Sequence, residues 1–180
     1  MKRFLKRSVI ALVTTVLTLS LYTCVAQAAE DEHTVAVTVE DITAVSEQLS
    51  DMDEEINMLA RLVYTEARGV DSMMEQAAVM WCVLNRVDAE YGTIERVVTA
   101  RYQFAYSSRT NVTDEFQALA KDVLTRWLLE KRGIDDVGRV LPSDYLWFAG
   151  RNGHNRFRDA YRRGNYWDWD CINPYESEDA

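Results

Sequence analysis

Proline and glycine are scarce, at two and seven residues in 180, which excludes a collagenous or low-complexity chain. No heptad run or solenoid period is visible. Histidine occurs twice, and His154 has no metal-ligand companions at useful spacing, so neither a zinc site nor another cofactor is expected. A basic excess is also missing. Lys and Arg total 20 against 29 Asp and Glu, a formal net charge of -9, which is not the footprint of a nucleic-acid binder. What is abundant is apolar material, 48% of residues, enough for a sizeable core in one domain.

The charge is unevenly spread. Lys2, Arg3, Lys6 and Arg7 open the chain, a mostly apolar stretch runs from Val9 to Val25, and Ala26-Gln27-Ala28 follows with small-x-small spacing. That order reads as a secretory signal over 1–28, cleaved after Ala28. The alternative is a membrane anchor retained at the same place. From Glu30 to Met58 there are ten acids and no Lys or Arg, leaving 19 acids against 16 bases from Leu59 onward. Much of the acidity is therefore expected before Leu59, with a flexible stalk over 29–52 that includes the alternating run Thr34 to Val39, and a domain over 53–180 that is near neutral from Leu59 onward. Cys24 would leave with the signal. Cys82 and Cys171 would permit one bridge, but the apolar helical setting of Cys82 points to a buried thiol.

Helical periodicity organises the domain. Ile56, Leu59, Ala60, Val63 and Ala67 predict a first helix over 53–68. Ser72 and Glu75 form a capping-box pair opening a second helix that is apolar around most of its circumference, hence central, and ends near Tyr91-Gly92. Thr93 caps a short helix to Ala100. Thr113 caps an amphipathic helix through Leu128, stopped by Gly133. Asp144 to Gly150 reads as extended, and 151–169 as a small hairpin or loop region. The expected class is α+β, mainly helical, with a small C-terminal hairpin region.

Glu66 stands out on the first helix. It lies seven residues after Leu59, four after Leu62 and three after Val63, on the face assigned to the core. It is also in the last turn, at the negative end of the helix dipole. Desolvation and the dipole both favour a protonated carboxyl, the form that general-acid catalysis requires. The ordinary alternative is a surface glutamate curling to solvent or pairing with Arg68.

The segment Leu59 to Gly69, containing Glu66-Ala67-Arg68-Gly69, is followed by Gln76-Ala77-Ala78-Val79 and Val83-Leu84-Asn85-Arg86-Val87. In this order and spacing it resembles the catalytic domain of SleB-type cell-wall hydrolases, the spore cortex-lytic enzymes. Tyr102-Gln103-Phe104, Tyr145-Leu146-Trp147-Phe148 and Gly153-His154-Asn155-Arg156-Phe157 extend the likeness more weakly, to about Trp169. The sequence departs from the family at Val70, where an acid often stands, and in a linker to the second helix that reads as one residue longer. Longer family members carry a repeat-type wall-binding domain, where the acidic stalk is read here. The resemblance implies a lysozyme-superfamily fold, cleavage of the MurNAc–GlcNAc bond of peptidoglycan, and Glu66 as the catalytic acid. It further implies a lytic transglycosylase outcome, in which the muramyl C6 hydroxyl closes an anhydro ring and no second carboxylate is needed.

A hydrolytic glycosidase would need a second carboxylate ~5–5.5 Å away for retention or ~6.5–9.5 Å away for inversion. Asp71, Glu75, Asp144 and Asp159 are the candidates, with Glu75 better explained as a cap. Sugars stack on aromatic faces and bond to amides, which nominates Tyr64, Gln103, Phe104, Trp147, Asn155 and Phe157 as substrate contacts. Asn85 and Arg86 read as residues that orient loops or satisfy carbonyls. The expected partner is the glycan strand, with no nucleic acid, and with a membrane only if the N-terminal segment is retained. The protein is expected to be an exported monomer, secreted or associated with the cell envelope. The alternatives are a silent peptidoglycan-binding module and a peptide-side amidase, the latter usually needing a metal or a nucleophilic dyad such as Cys82 with His154.

Overall fold

A computed structural model describes residues 36–176. The expected signal at 1–28 and the first part of the stalk lie outside the described residues. The described chain is mainly helical: α1 (Val39–Ser50), α2 (Asp53–Ala67), α3 (Met73–Arg86), a π-helical turn (Val87–Tyr91), α4 (Ile94–Val98) and α5 (Asp114–Lys131). A two-stranded antiparallel hairpin follows, β1 (Trp147–Arg151) with β2 (His154–Arg158).

Helix α3 is the axis of the fold. Every residue from Glu75 to Arg86 is buried, as an all-round apolar helix requires. Leu59, Ala60, Leu62 and Val63 of α2 pack near it with no exposed surface. Helix α5 contributes Phe116, Leu119, Ala120, Val123, Leu124 and Leu128 from one stripe. Full burial of each large side chain in this set contributes roughly 1.5–3 kcal/mol against exposure. The expected caps are present: the Ser72, Thr93 and Thr113 hydroxyls accept from the N–H groups of Glu75, Arg96 and Phe116.

The acidic stalk reading is corrected from Val39 onward. Thr38 and Asp41 form a complete capping box that starts α1. Val45 of α1 is buried, and Asp41 pairs with Arg132 just beyond α5 at 2.8 Å. The count of ten acids concealed a helical spacing of Ile42, Val45 and Leu49, which lets this segment dock against α5. The alternating run Thr34 to Val39, assigned to the stalk, is irregular over 36–38 and enters α1 at Val39; residues 34 and 35 lie outside the described residues.

The segment leading into the hairpin is held to α3 by two polar residues at the end of its buried length. The Asn85 side-chain amide donates to the carbonyls of Pro142 and Tyr145 at 2.7 and 3.0 Å, and its oxygen accepts from Arg139 at 2.6 Å. Arg86 donates through Nε to the Leu146 carbonyl at 2.6 Å. Buried polar groups need partners, and these supply partners to the segment that leads into β1. The hairpin turn is Asn152-Gly153, with φ of 55° and 80°, the left-handed pair of a type I′ turn.

Candidate active site

Glu66 sits in the last turn of α2, half-buried. The backbone N–H of Ala105 donates to its Oε1 at 2.5 Å. Its Oε2 makes no hydrogen bond among the described residues. One oxygen is thus fixed by the loop after α4, and Glu66 itself is not among the residues lining the cavity beside that loop. The loop turns sharply at Tyr102, whose φ is 64°, so Gln103 and Phe104 arrive immediately before the amide that holds Glu66.

Arg86 organises the neighbouring groove. Its guanidinium lies 4.9 Å from the Phe104 ring centroid and 4.7 Å from that of Trp147, close enough for cation–π attraction to both. Its Nη1 donates to Gln103 Oε1 at 3.0 Å. Gln103, Phe104 and Trp147, read separately from sequence as substrate contacts, are therefore gathered around one buried arginine. Beside them is a cavity of about 350 Å³ lined by Arg86, Arg96, Val97, Ala100, Gln103 and Trp147. The sequence reading gave Arg86 a role in loop support but missed it as the hub. The available signal was its position inside a helix buried on every side, where an arginine must find partners.

The other three nominated contacts are placed differently. Tyr64 packs edge-on against Phe116, ring centroids 6.2 Å apart, with Arg68 stacked on it, and it does not line the Arg86 cavity. Phe157 is a core residue, 1% exposed, sandwiched between Phe148 and Trp169, and is corrected from substrate contact to packing. Alternation along β2 explains this: Asn155 and Phe157 face inward while His154 and Arg156 face out. Asn155 is likewise buried, its Nδ2 without a hydrogen-bond partner, so it offers no open surface to a sugar.

Glu75 departs from its expected part. Its N–H is capped by Ser72, but its carboxyl does not return to the cap. It is buried, accepts the N–H of Asn155 and lies 3.1 Å from His154 Nδ1. Glu75 therefore pins the hairpin to the start of α3. Asp159 is also committed, accepting from both nitrogens of Asn165 at 2.8 and 2.9 Å. Asp71 and Asp144 are exposed, and neither is hydrogen-bonded to Glu66.

The dyad alternative has no geometric support. Cys82 is fully buried and unbridged, and burial pushes its thiol up to about 12. His154 is 72% exposed at its side chain and is engaged with Glu75. Cys171 is also free. Among the described residues no group of three or more His, Cys, Asp or Glu is assembled as metal ligands would be. No family model, curated protein or solved structure matches this chain.

Proposed function

We propose that this protein is an exported enzyme that cleaves peptidoglycan glycan strands, with Glu66 acting first as general acid and then as general base. The carrying observation is the fixed Glu66 carboxyl beside the loop that brings Gln103 and Phe104 to Arg86 and Trp147. A helical body with a small hairpin tied to its central helix is consistent with the lysozyme-type fold implied by the sequence resemblance.

Glu66 would protonate the glycosidic oxygen between MurNAc and GlcNAc as the C1–O bond breaks. The resulting carboxylate would take the proton of the muramyl C6 hydroxyl as that oxygen closes on C1, giving an anhydro end and restoring the acid. This lytic transglycosylase course needs one carboxyl. The commitments of Glu75 and Asp159 elsewhere in the fold favour it over a two-carboxylate hydrolysis.

Purified sacculi test the proposal directly. The wild type should release muropeptides with anhydro-muramyl ends, detected by mass spectrometry. Glu66→Gln should lose at least about a hundredfold in rate, the scale of one positioned acid–base group. A variant with unchanged turnover would remove Glu66 from the mechanism, and reducing ends would replace the lyase with a hydrolase. Wild-type protein that binds sacculi and releases nothing would favour a silent binding module.

A further inference from the structure

The hairpin and the loop after it differ electrically from the rest of the chain. Between Trp147 and Tyr166 there are five arginines (151, 156, 158, 162 and 163) and one acid, Asp159, in a chain of net charge -9. In the preceding part, Arg61, Arg126, Lys131, Arg132 and Arg139 each face a carboxylate within 3.3 Å, while Arg68, Arg86, Arg96, Arg101, Arg109 and Lys121 do not among the described residues, so what sets the hairpin region apart is the density of its arginines rather than the lack of ion pairs alone. None of the five hairpin-region arginines has a carboxylate partner among the described residues; Arg151, Arg156, Arg162 and Arg163 are exposed, while Arg158 is half-buried with its Nε enclosed and without a hydrogen-bond partner.

The arrangement is built rather than loose. Register places Arg156 opposite Ala149, Arg158 opposite Trp147 and Arg151 opposite His154, all on the face away from buried Phe157 and Asn155. Tyr166 bridges to Arg158 and carries the Arg156 guanidinium at 4.0 Å from its ring centroid. The single acid has a structural task, because both oxygens of Asp159 close the loop onto Asn165; its charge remains and leaves the segment at +4. Gly164 permits that closure: a Cβ there would meet Asp159 and Ala160 within 2.5 Å. The closed loop presents Arg162 and Arg163, both exposed, at its tip.

We infer that this face docks a phosphodiester-linked polyol polymer, an anionic chain of the cell envelope. Uncompensated guanidinium forks favour phosphate oxygens. Arg156 and Arg158 are two residues apart on one strand, about 7 Å along it, comparable to successive phosphates in an extended phosphodiester chain. Nucleic acid is disfavoured because the rings here are already occupied. Tyr166 holds Arg156, while Trp147 has Arg86 on it and Tyr161 at 5.1 Å, leaving no clear platform for base stacking. A bilayer is disfavoured because the large exposed apolar groups of this face, Tyr161 and Tyr166, are stacked with arginines. The face uses none of the groups assigned to bond cleavage except the edge of Trp147, so its failure is distinguishable from failure of the catalytic proposal.

The experiment is equilibrium binding of the purified protein to labelled poly(glycerol phosphate) at several salt concentrations. Phosphatidylglycerol vesicles and single-stranded DNA serve as parallel probes. Wild type should bind the polyol phosphate more tightly than either, and more weakly as salt rises. The triple variant Arg156→Gln, Arg162→Gln, Arg163→Gln should bind at least about tenfold more weakly, with a log–log salt slope shallower by about two, as expected for three lost phosphate contacts on a flexible strand. Its circular dichroism and its cleavage of polymer-free glycan should match wild type. Absent wild-type binding, undiminished binding by the triple variant, or tighter binding to vesicles or DNA would each overturn the inference.

Discussion

Replacing Glu75 by alanine should loosen the hairpin without touching the proposed acid. The carboxyl is 5% exposed at its residue and accepts the main-chain N–H of buried Asn155. Alanine leaves that N–H without a partner, which costs about 1–3 kcal/mol. Losing an acid from the first turn of α3 adds roughly 0.3–1 kcal/mol. The His154 contact adds little, since its ring is mostly in water. The total is about 3 kcal/mol, or roughly 6–12 °C in Tm for a domain of this size. Glu75→Gln keeps an oxygen for Asn155 and should lose only about a third as much. Differential scanning calorimetry gives the size of the effect, and amide hydrogen exchange gives its place, with Asn155 and its strand neighbours losing protection first. A Tm within a degree of wild type for the alanine variant, or equal losses for alanine and glutamine, would refute the assignment of Glu75 as the pin.

Phe157→Ala should cost about 3–5 kcal/mol by emptying a core position, while Phe157→Leu should recover most of the stability and leave the glycan KM unchanged. A raised KM in a stable leucine variant would return Phe157 to the groove. Asp41 has its carboxyl lowered from 3.8 to about 2, first by the Thr38 hydroxyl and then by Arg132. Because the folded value is depressed, its contribution to docking α1 is present above about pH 4 and lost as pH falls towards 2. Exchange of α1 amides should rise across that interval and become insensitive to it in Asp41→Asn.

Much of the helical body was legible because its elements bury one stripe each and open on a hydroxyl cap. Ser72, Thr93 and Thr113 marked three starts correctly. Four kinds of information were not legible. In α1, charge density masked the Ile42, Val45 and Leu49 spacing, and docking depends on Arg132, 91 residues from Asp41. In the hairpin, Asn152-Gly153 was a readable turn signal, but which residues faced inward depended on register, and that decided the positions of Asn155 and Phe157. For Glu75, the local capping pattern was real at the backbone and silent about a side chain that reaches 80 residues ahead. Charge totals likewise missed five unpaired arginines, because a sum over a domain carries no geometry.

The Asn85 bonds have a kinetic consequence. They join α3 to Pro142 across 57 residues and to Tyr145 across 60. Closing a loop of that size costs about 1.5 kcal/mol more entropy than closing one of ten residues, and nothing is returned until both ends meet. The helices satisfy most of their main chain locally and incur no such delay. The chain should therefore assemble its helical body first and acquire the groove last, when the segment before β1 reaches the two polar residues waiting on α3. In refolding, Asn85→Ala should leave the folding rate nearly unchanged and accelerate unfolding. A chain emerging progressively during synthesis would lack the Arg86 cavity until its final third had docked.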